Sequence, residues 1–89
     1  MIRKWIRFIG GVQGVGFRYR ALRSAGLSGA TGWVRNESDG SVIMEIQGTP
    51  EQIDNTLRVL CESRYIRIRE TVSAEIPVVP EEKGFGVRF

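Results

Sequence analysis

The sequence contains no histidine and only one cysteine, Cys61. Imidazole and thiolate are the usual ligands of zinc and copper, so nearly every site for those metals is excluded. The same absences remove Ser-His and Cys-His nucleophile pairs and a phosphohistidine intermediate. One cysteine also rules out a disulfide within the chain. Cys61 follows Leu57 and Leu60, which suggests a half-buried helix face and a packing role. Long apolar runs are missing too, and nothing approaches the roughly 18 residues of a membrane span. The start, MIRKWIRFIGG, is basic but has neither the unbroken apolar core nor the small-residue cleavage site of a secretory signal. A cytoplasmic protein with no membrane partner is expected. Any chemistry must run on Arg, Lys, Asp, Glu, Asn, Gln, hydroxyls and backbone amides.

What remains is an ordinary globular balance. Of 89 residues, 42% are apolar and 26% charged, enough for one small domain over residues 1–89. Nothing demands more than a monomer. The net charge is +3, and eleven of the thirteen basic residues are arginine. A guanidinium is a planar fork that matches phosphate and carboxylate. The excess fits an anionic ligand and equally fits a solvated surface.

Hydrophobic periodicity changes several times along the chain. Ile2, Ile6 and Phe8 fall on one side of a strand, with Arg3, Trp5 and Arg7 on the other. The segment GGVQGVG, with four glycines in seven residues, is a loop. Phe17, Ala21, Leu22 and Ala25 recur at helical spacing, and Gly26 and Gly29 end that helix. Ala30 to Asn36 reads as a strand, and Glu37-Ser38-Asp39-Gly40 as a hairpin turn into a strand from Val42 to Gln47. Thr49, Pro50 and Gln52 suit an N-cap, a first helical position and a capping box. Ile53, Leu57, Leu60 and Cys61 line one face of that second helix. Ile66 to Ile76 is a last long extended stretch, stopped by Pro77 and Pro80. Phe85, Val87 and Phe89 form a short extra strand. This order predicts an α+β fold, the ferredoxin-like split βαβ sandwich (βαββαβ). An antiparallel sheet would carry two helices on one face. The other face would be wet, which suits the Arg, Glu and Ser alternating along the strands.

Two constellations carry chemistry. The first is Gly10-Gly11-Val12-Gln13-Gly14-Val15-Gly16-Phe17-Arg18, running from a strand into a helix. Its glycines permit positive backbone torsions that turn successive amides inward as an anion nest. The helix start adds free amides and the positive end of its dipole. Arg18 in the first turn can fold back over them. The segment lacks the Gly-Lys-Ser/Thr of a Walker A loop and the spacing of a dinucleotide fingerprint. It reads either as a phosphate clamp or as a tight corner with Val12 and Val15 packed inward, Phe17 being core in both. The second constellation places Asn36 at a strand end beside the hairpin turn. Its carboxamide both donates and accepts and could hold a water, although asparagine also simply opens turns. Trp33 is expected to pack on the sheet and Arg35 to be solvated.

Together the two segments resemble the acylphosphatase family. Val12-Gln13-Gly14-Val15-Gly16-Phe17-Arg18 is similar to its first signature. Gly32-Trp33-Val34-Arg35-Asn36, followed by Gly40-Ser41-Val42 and Gly48, is similar to its second. The terminal Phe85-Gly86-Val87-Arg88-Phe89 fits as well. The resemblance implies hydrolysis of acyl phosphates to a carboxylate and inorganic phosphate, which is product or inhibitor. It implies that Arg18 and the loop amides of Gln13, Gly14, Val15, Gly16, Phe17 and Arg18 hold the phosphate while Asn36 orients the attacking water. It implies no metal, no cofactor and no covalent phosphoenzyme. Phe8 stands where the family more often has a branched aliphatic residue. The run Arg20 to Thr31 is unusually rich in small residues, which leaves the length of the first helix open. The alternatives are a non-catalytic anion-binding or regulatory module on the same fold, and an RNA-binding sheet. Acylphosphatase-like domains also occur within a larger carbamoyl-transfer protein of hydrogenase maturation. Nucleic acid is not the expected partner, because Trp5 and Trp33 are the only aromatic candidates for base stacking.

Overall fold

A computed structural model describes all 89 residues. Its elements are β1 (Ile2–Gly11), α1 (Phe17–Ser28), β2 (Thr31–Asn36), β3 (Val42–Gly48), α2 (Pro50–Cys61), β4 (Arg67–Ile76) and β5 (Phe85–Arg88). The strands form one sheet in the order β4-β1-β3-β2-β5. The first four strands pair antiparallel, giving the split βαβ arrangement, and β5 lies parallel to β2. The short extra strand, β5, forms where expected and adds a parallel edge to the antiparallel sheet. β4 and β5 occupy opposite edges, so the chain between them must cross the sheet, and it arrives running alongside β2.

Alternation along the strands separates two faces. Ile6, Phe8, Val34, Val42, Met44 and Ile46 join Phe17, Ala21, Ala25, Ile53 and Leu60 of the helices in the buried core. Burying each large aliphatic of this set contributes about 1.5–3 kcal/mol. The small residues of α1 have a packing reason. Ala21, Ser24 and Ala25 are buried, and Ser24 Oγ donates to the Thr56 carbonyl of α2 at 3.4 Å. The helix passes through Gly26 and ends only at Gly29, the C-cap with φ 84°. α2 begins as its sequence indicates. Gln52 N–H donates to Thr49 Oγ1 at 3.1 Å, and Thr49 N–H donates back to Gln52 Oε1 at 2.9 Å. Cys61 is exposed, against expectation. Leu60 fills the core from the preceding position, and one further residue turns about 100° around a helix of 3.6 residues per turn, away from it.

The open face is less wet than its sequence indicates. Arg3 is only 2% exposed there, although alternation along β1 puts it on the open face. Its guanidinium donates to Glu45 and Glu82 at 2.8 Å each and to Gln47 at 3.2 Å. Gln47 also binds both backbone polar groups of Val79, at 2.8 and 2.9 Å. Thr31 Oγ1 donates to Glu82 at 2.7 Å. These contacts fasten the segment 77–84 as a strap across β3, β1 and β2 on its way to β5. Nearby, Trp33 is buried beneath Arg35 and Arg88, whose guanidinium carbons lie 5.3 and 4.6 Å from its ring centroid. That ring is covered, and Arg7 stacks on Trp5 at 5.6 Å, so neither tryptophan is a bare platform for bases.

Candidate functional site

The loop between β1 and α1 is shaped by Gly14 and Gly16, with φ of 73° and 80°. An L side chain is strained at either position. A Cβ at either would meet no atom within 4 Å, so both glycines border open space. Gly16 is the N-cap of α1 and offers no side chain to the first turn. The first backbone bond there runs from Arg20 N–H to the Gly16 carbonyl at 2.9 Å. The amides of Gly14 to Tyr19 find no acceptor in the backbone network outside the regular elements. A row of unpaired N–H groups at the positive end of a helix attracts an anion.

Val12 anchors this loop from below, fully buried, with Phe17 in the core at a ring-centroid distance of 4.9 Å from Phe8. Gln13 anchors it from the side. Its Nε2 donates to the carbonyls of Glu37 and Ser41 at 2.7 and 2.9 Å. The hairpin that receives those bonds is closed by Glu37 N–H to the Ser41 carbonyl, 2.9 Å, and by Asp39, which accepts from Ser41 Oγ at 2.6 Å and Ser41 N–H at 2.9 Å. Those two bonds, with a smaller contribution from the charge of Arg7, hold the Asp39 carboxyl below its usual range. Loop and hairpin are thereby locked together, and Asn36 sits at the end of β2 where the hairpin begins.

The structure brings Gly14, Gly16, Phe17, Arg18 and Asn36 to the wall of one cavity of about 360 Å³. The Arg18 guanidinium has no carboxylate partner, since the ion pairs of the chain use only Arg3 and Arg35. It lies 5.4 Å from the centroid of the Phe89 ring. Val12, Leu22 and Val87 complete an apolar wall. Gln13 and Val15 do not line this cavity; the first braces the loop, and the second packs against the core. Neither the bracing role of Gln13 nor the wall position of Leu22 has a local signal in the sequence. Val87 was legible as a strand residue only, because its place depends on where β5 docks.

The acylphosphatase family profile matches residues 4–87. The chain belongs to the acylphosphatase family. It is 36% identical to an acylphosphatase of Clostridium acetobutylicum over 100% of this chain and 99% of the other. It is 38% identical to an acylphosphatase of Bifidobacterium longum, covering 99% and 93%. The crystal structure of acylphosphatase from Bacillus subtilis superposes over 100% of both chains with a TM-score of 0.89 at 27% identity. Full-length HypF in its phosphate- and nucleotide-bound form is also similar, with a TM-score of 0.87 at 29% identity over 99% of this chain but 12% of its own. The acylphosphatase activity expected from the two signatures therefore stands: the protein is a hydrolase of acyl phosphates. No helix is long and apolar enough to cross a membrane.

Proposed function

We propose that this acylphosphatase works by direct attack of a water on phosphorus. Arg18 and the amides of the Gln13–Arg18 loop hold the phosphoryl group, and Asn36 orients the water. The observation that carries this reading is the shared cavity. Loop residues with unpaired amides, Arg18 with no carboxylate partner, and the strand-end Asn36 line one space.

The chemistry suits so spare a site. The phosphoryl oxygens take the amide N–H groups and the Arg18 fork, which neutralise charge as the bond to the leaving oxygen lengthens. The Asn36 side-chain oxygen accepts a hydrogen bond from the water, aiming its lone pair at phosphorus. A P–O bond forms to the water as the P–O bond to the acyl oxygen breaks. The acyl group leaves as a carboxylate, and the proton from the water ends on phosphate or in solvent. A carboxylate leaves readily without protonation, so positioning and charge stabilisation supply most of the catalysis. Inorganic phosphate occupies the same cradle after turnover and inhibits. Residues 1–89 act as one domain, as a monomer in the cytoplasm.

Phosphate release from acetyl phosphate, with chelator present, tests the scheme. Arg18→Ala should weaken binding of inorganic phosphate by about 10- to 150-fold, the loss of a charge-assisted contact of about 1.5–3 kcal/mol, and reduce kcat/KM further. Asn36→Ala should bind phosphate like the parent and lose kcat on the order of 100-fold, comparable to removing one preorganised polar contact. An Arg18→Ala variant with parental phosphate affinity refutes the clamp. Full turnover in Asn36→Ala refutes the water-positioning role.

A further inference from the structure

A second cavity begins where the phosphate cradle ends. It lies between α1 and α2, encloses about 630 Å³, and shares Gly16 and Tyr19 with the cavity of Arg18 and Asn36. Val15, Leu27 and Val59 give it an apolar lining, and Arg20, Arg23 and Arg58 stand around it. None of these three arginines forms an ion pair. Arg23 donates to the Tyr19 hydroxyl at 3.4 Å and Arg58 to Asn55 Oδ1 at 3.1 Å, both neutral acceptors. The helix dipole favours Arg58, in the last turn of α2, but no such support reaches Arg20, close to the positive start of α1. Three like charges gathered in one groove repel each other unless an anion joins them.

We propose that this groove takes the acyl end of the substrate and selects acyl phosphates that carry a second anionic group there. The inference rests on the placement of the phosphoryl group proposed above. From a phosphate on the amides around Gly16, Arg20 and Arg23 lie four and seven residues along α1, about 6 and 10 Å at 1.5 Å per residue. A four-carbon diacid monophosphate spans the first of these distances. Its methylene groups lie along Val15 and the Tyr19 ring, and its free carboxylate meets Arg20, with the long side chains of Arg23 and Arg58, which line the same groove, able to swing toward it. A neutral acyl group gains only the apolar contact.

Succinyl phosphate and acetyl phosphate contain the same scissile bond with and without the second carboxylate, so the ratio of their kcat/KM values reads the groove. The parent should favour succinyl phosphate by about tenfold, the yield of three exposed charge contacts, and added salt should erode that preference. Arg20→Gln/Arg23→Gln/Arg58→Gln should bring the ratio close to one. If the triple variant does not fold, the single variants carry the test, each lowering the ratio by about two- to threefold. Arg64→Gln, which removes a charge outside the groove, should leave the ratio intact. A parent without the preference, a triple variant that keeps it, or an Arg64→Gln variant that loses it overturns the proposal. Arg18→Ala separates the two levels: if it binds inorganic phosphate and cleaves acetyl phosphate as the parent does, the cradle reading itself has failed.

Discussion

Replacing Glu82 with alanine should be strongly destabilising although it lies outside the hydrophobic core. The Glu82 carboxylate accepts from Arg3 at 2.8 Å and from Thr31 at 2.7 Å, and it fastens the strap that delivers β5 to its edge. Alanine leaves a guanidinium that is 2% exposed with one carboxylate, Glu45, and one amide, Gln47. Removing one partner of a buried pair costs about 3–5 kcal/mol. The surviving Glu45 contact and the 16% exposure of Glu82 reduce that to about 2–3 kcal/mol. In a chain of this size the loss lowers Tm by roughly 8–20 °C. Urea unfolding followed by the fluorescence of Trp5 and Trp33 reads it. The pH dependence has a definite sign. Burial pushes the Glu82 carboxyl up, but the hydrogen bonds from Arg3 and Thr31, with the charge of Arg3, outweigh it and leave the carboxyl below its ordinary range. A carboxyl depressed on folding contributes stability that is complete above its unfolded pKa and is lost as pH falls through the folded value. The gap between parent and Glu82→Ala should therefore be full at neutral pH and close in acid below about pH 4. A loss under about 0.5 kcal/mol, typical of an exposed pair, or a gap that persists unchanged into acid, refutes the reasoning. The double variant Arg3→Met/Glu82→Leu removes both charges and should lose less than Glu82→Ala alone.

Gln13→Ala removes two hydrogen bonds between the loop and the hairpin, so stability should fall by about 1–3 kcal/mol. Its kcat should fall more than its phosphate affinity, because Asn36 would lose its fixed position relative to the cradle; equal losses in both would refute the bracing role. Gly16→Ala should cost about 1–2 kcal/mol from the positive φ, with weakened phosphate binding because its Cβ enters the open space of the cradle. An alanine variant that binds phosphate like the parent would show that the anion sits elsewhere. Ser41→Ala should raise the Asp39 pKa toward its ordinary value, since the Ser41 hydroxyl is the largest cause of its depression; an unmoved carboxyl resonance in an NMR titration would refute that.

The elements were legible because local signals agreed with each other. The capping box at Thr49, the Asp39-Gly40 turn and the alternation of β1 each depend on residues close in sequence, and each formed where expected. Arg18 was legible for the same reason, as a first-turn residue behind a glycine loop. Asn36 was not legible from physics alone, because a carboxamide at a turn looks the same whether or not a cavity faces it. The strap was invisible for a different reason. Nothing local to Arg3 says that Glu45, Gln47 and Glu82 will converge on it, so alternation assigned it to solvent. Leu22 and Cys61 show the limit of periodicity: both lie on helices beside core positions, and the angle that exposes them is set by where the neighbouring elements pack.

Arg3 and Glu82 stand 79 positions apart in the chain. Closing so wide a span carries the highest entropic cost among the polar contacts described here, and contacts of large sequence separation slow folding. We expect the strap to form late in assembly, with β5 docking beside it. A chain in which the strap has not yet closed keeps both helices and four strands, while the pocket wall at Val87 is still missing. Such a chain is folded in most respects and still inert. On that order the enzyme is expected to become competent only when the strap crosses the sheet and finds the charge waiting near the beginning.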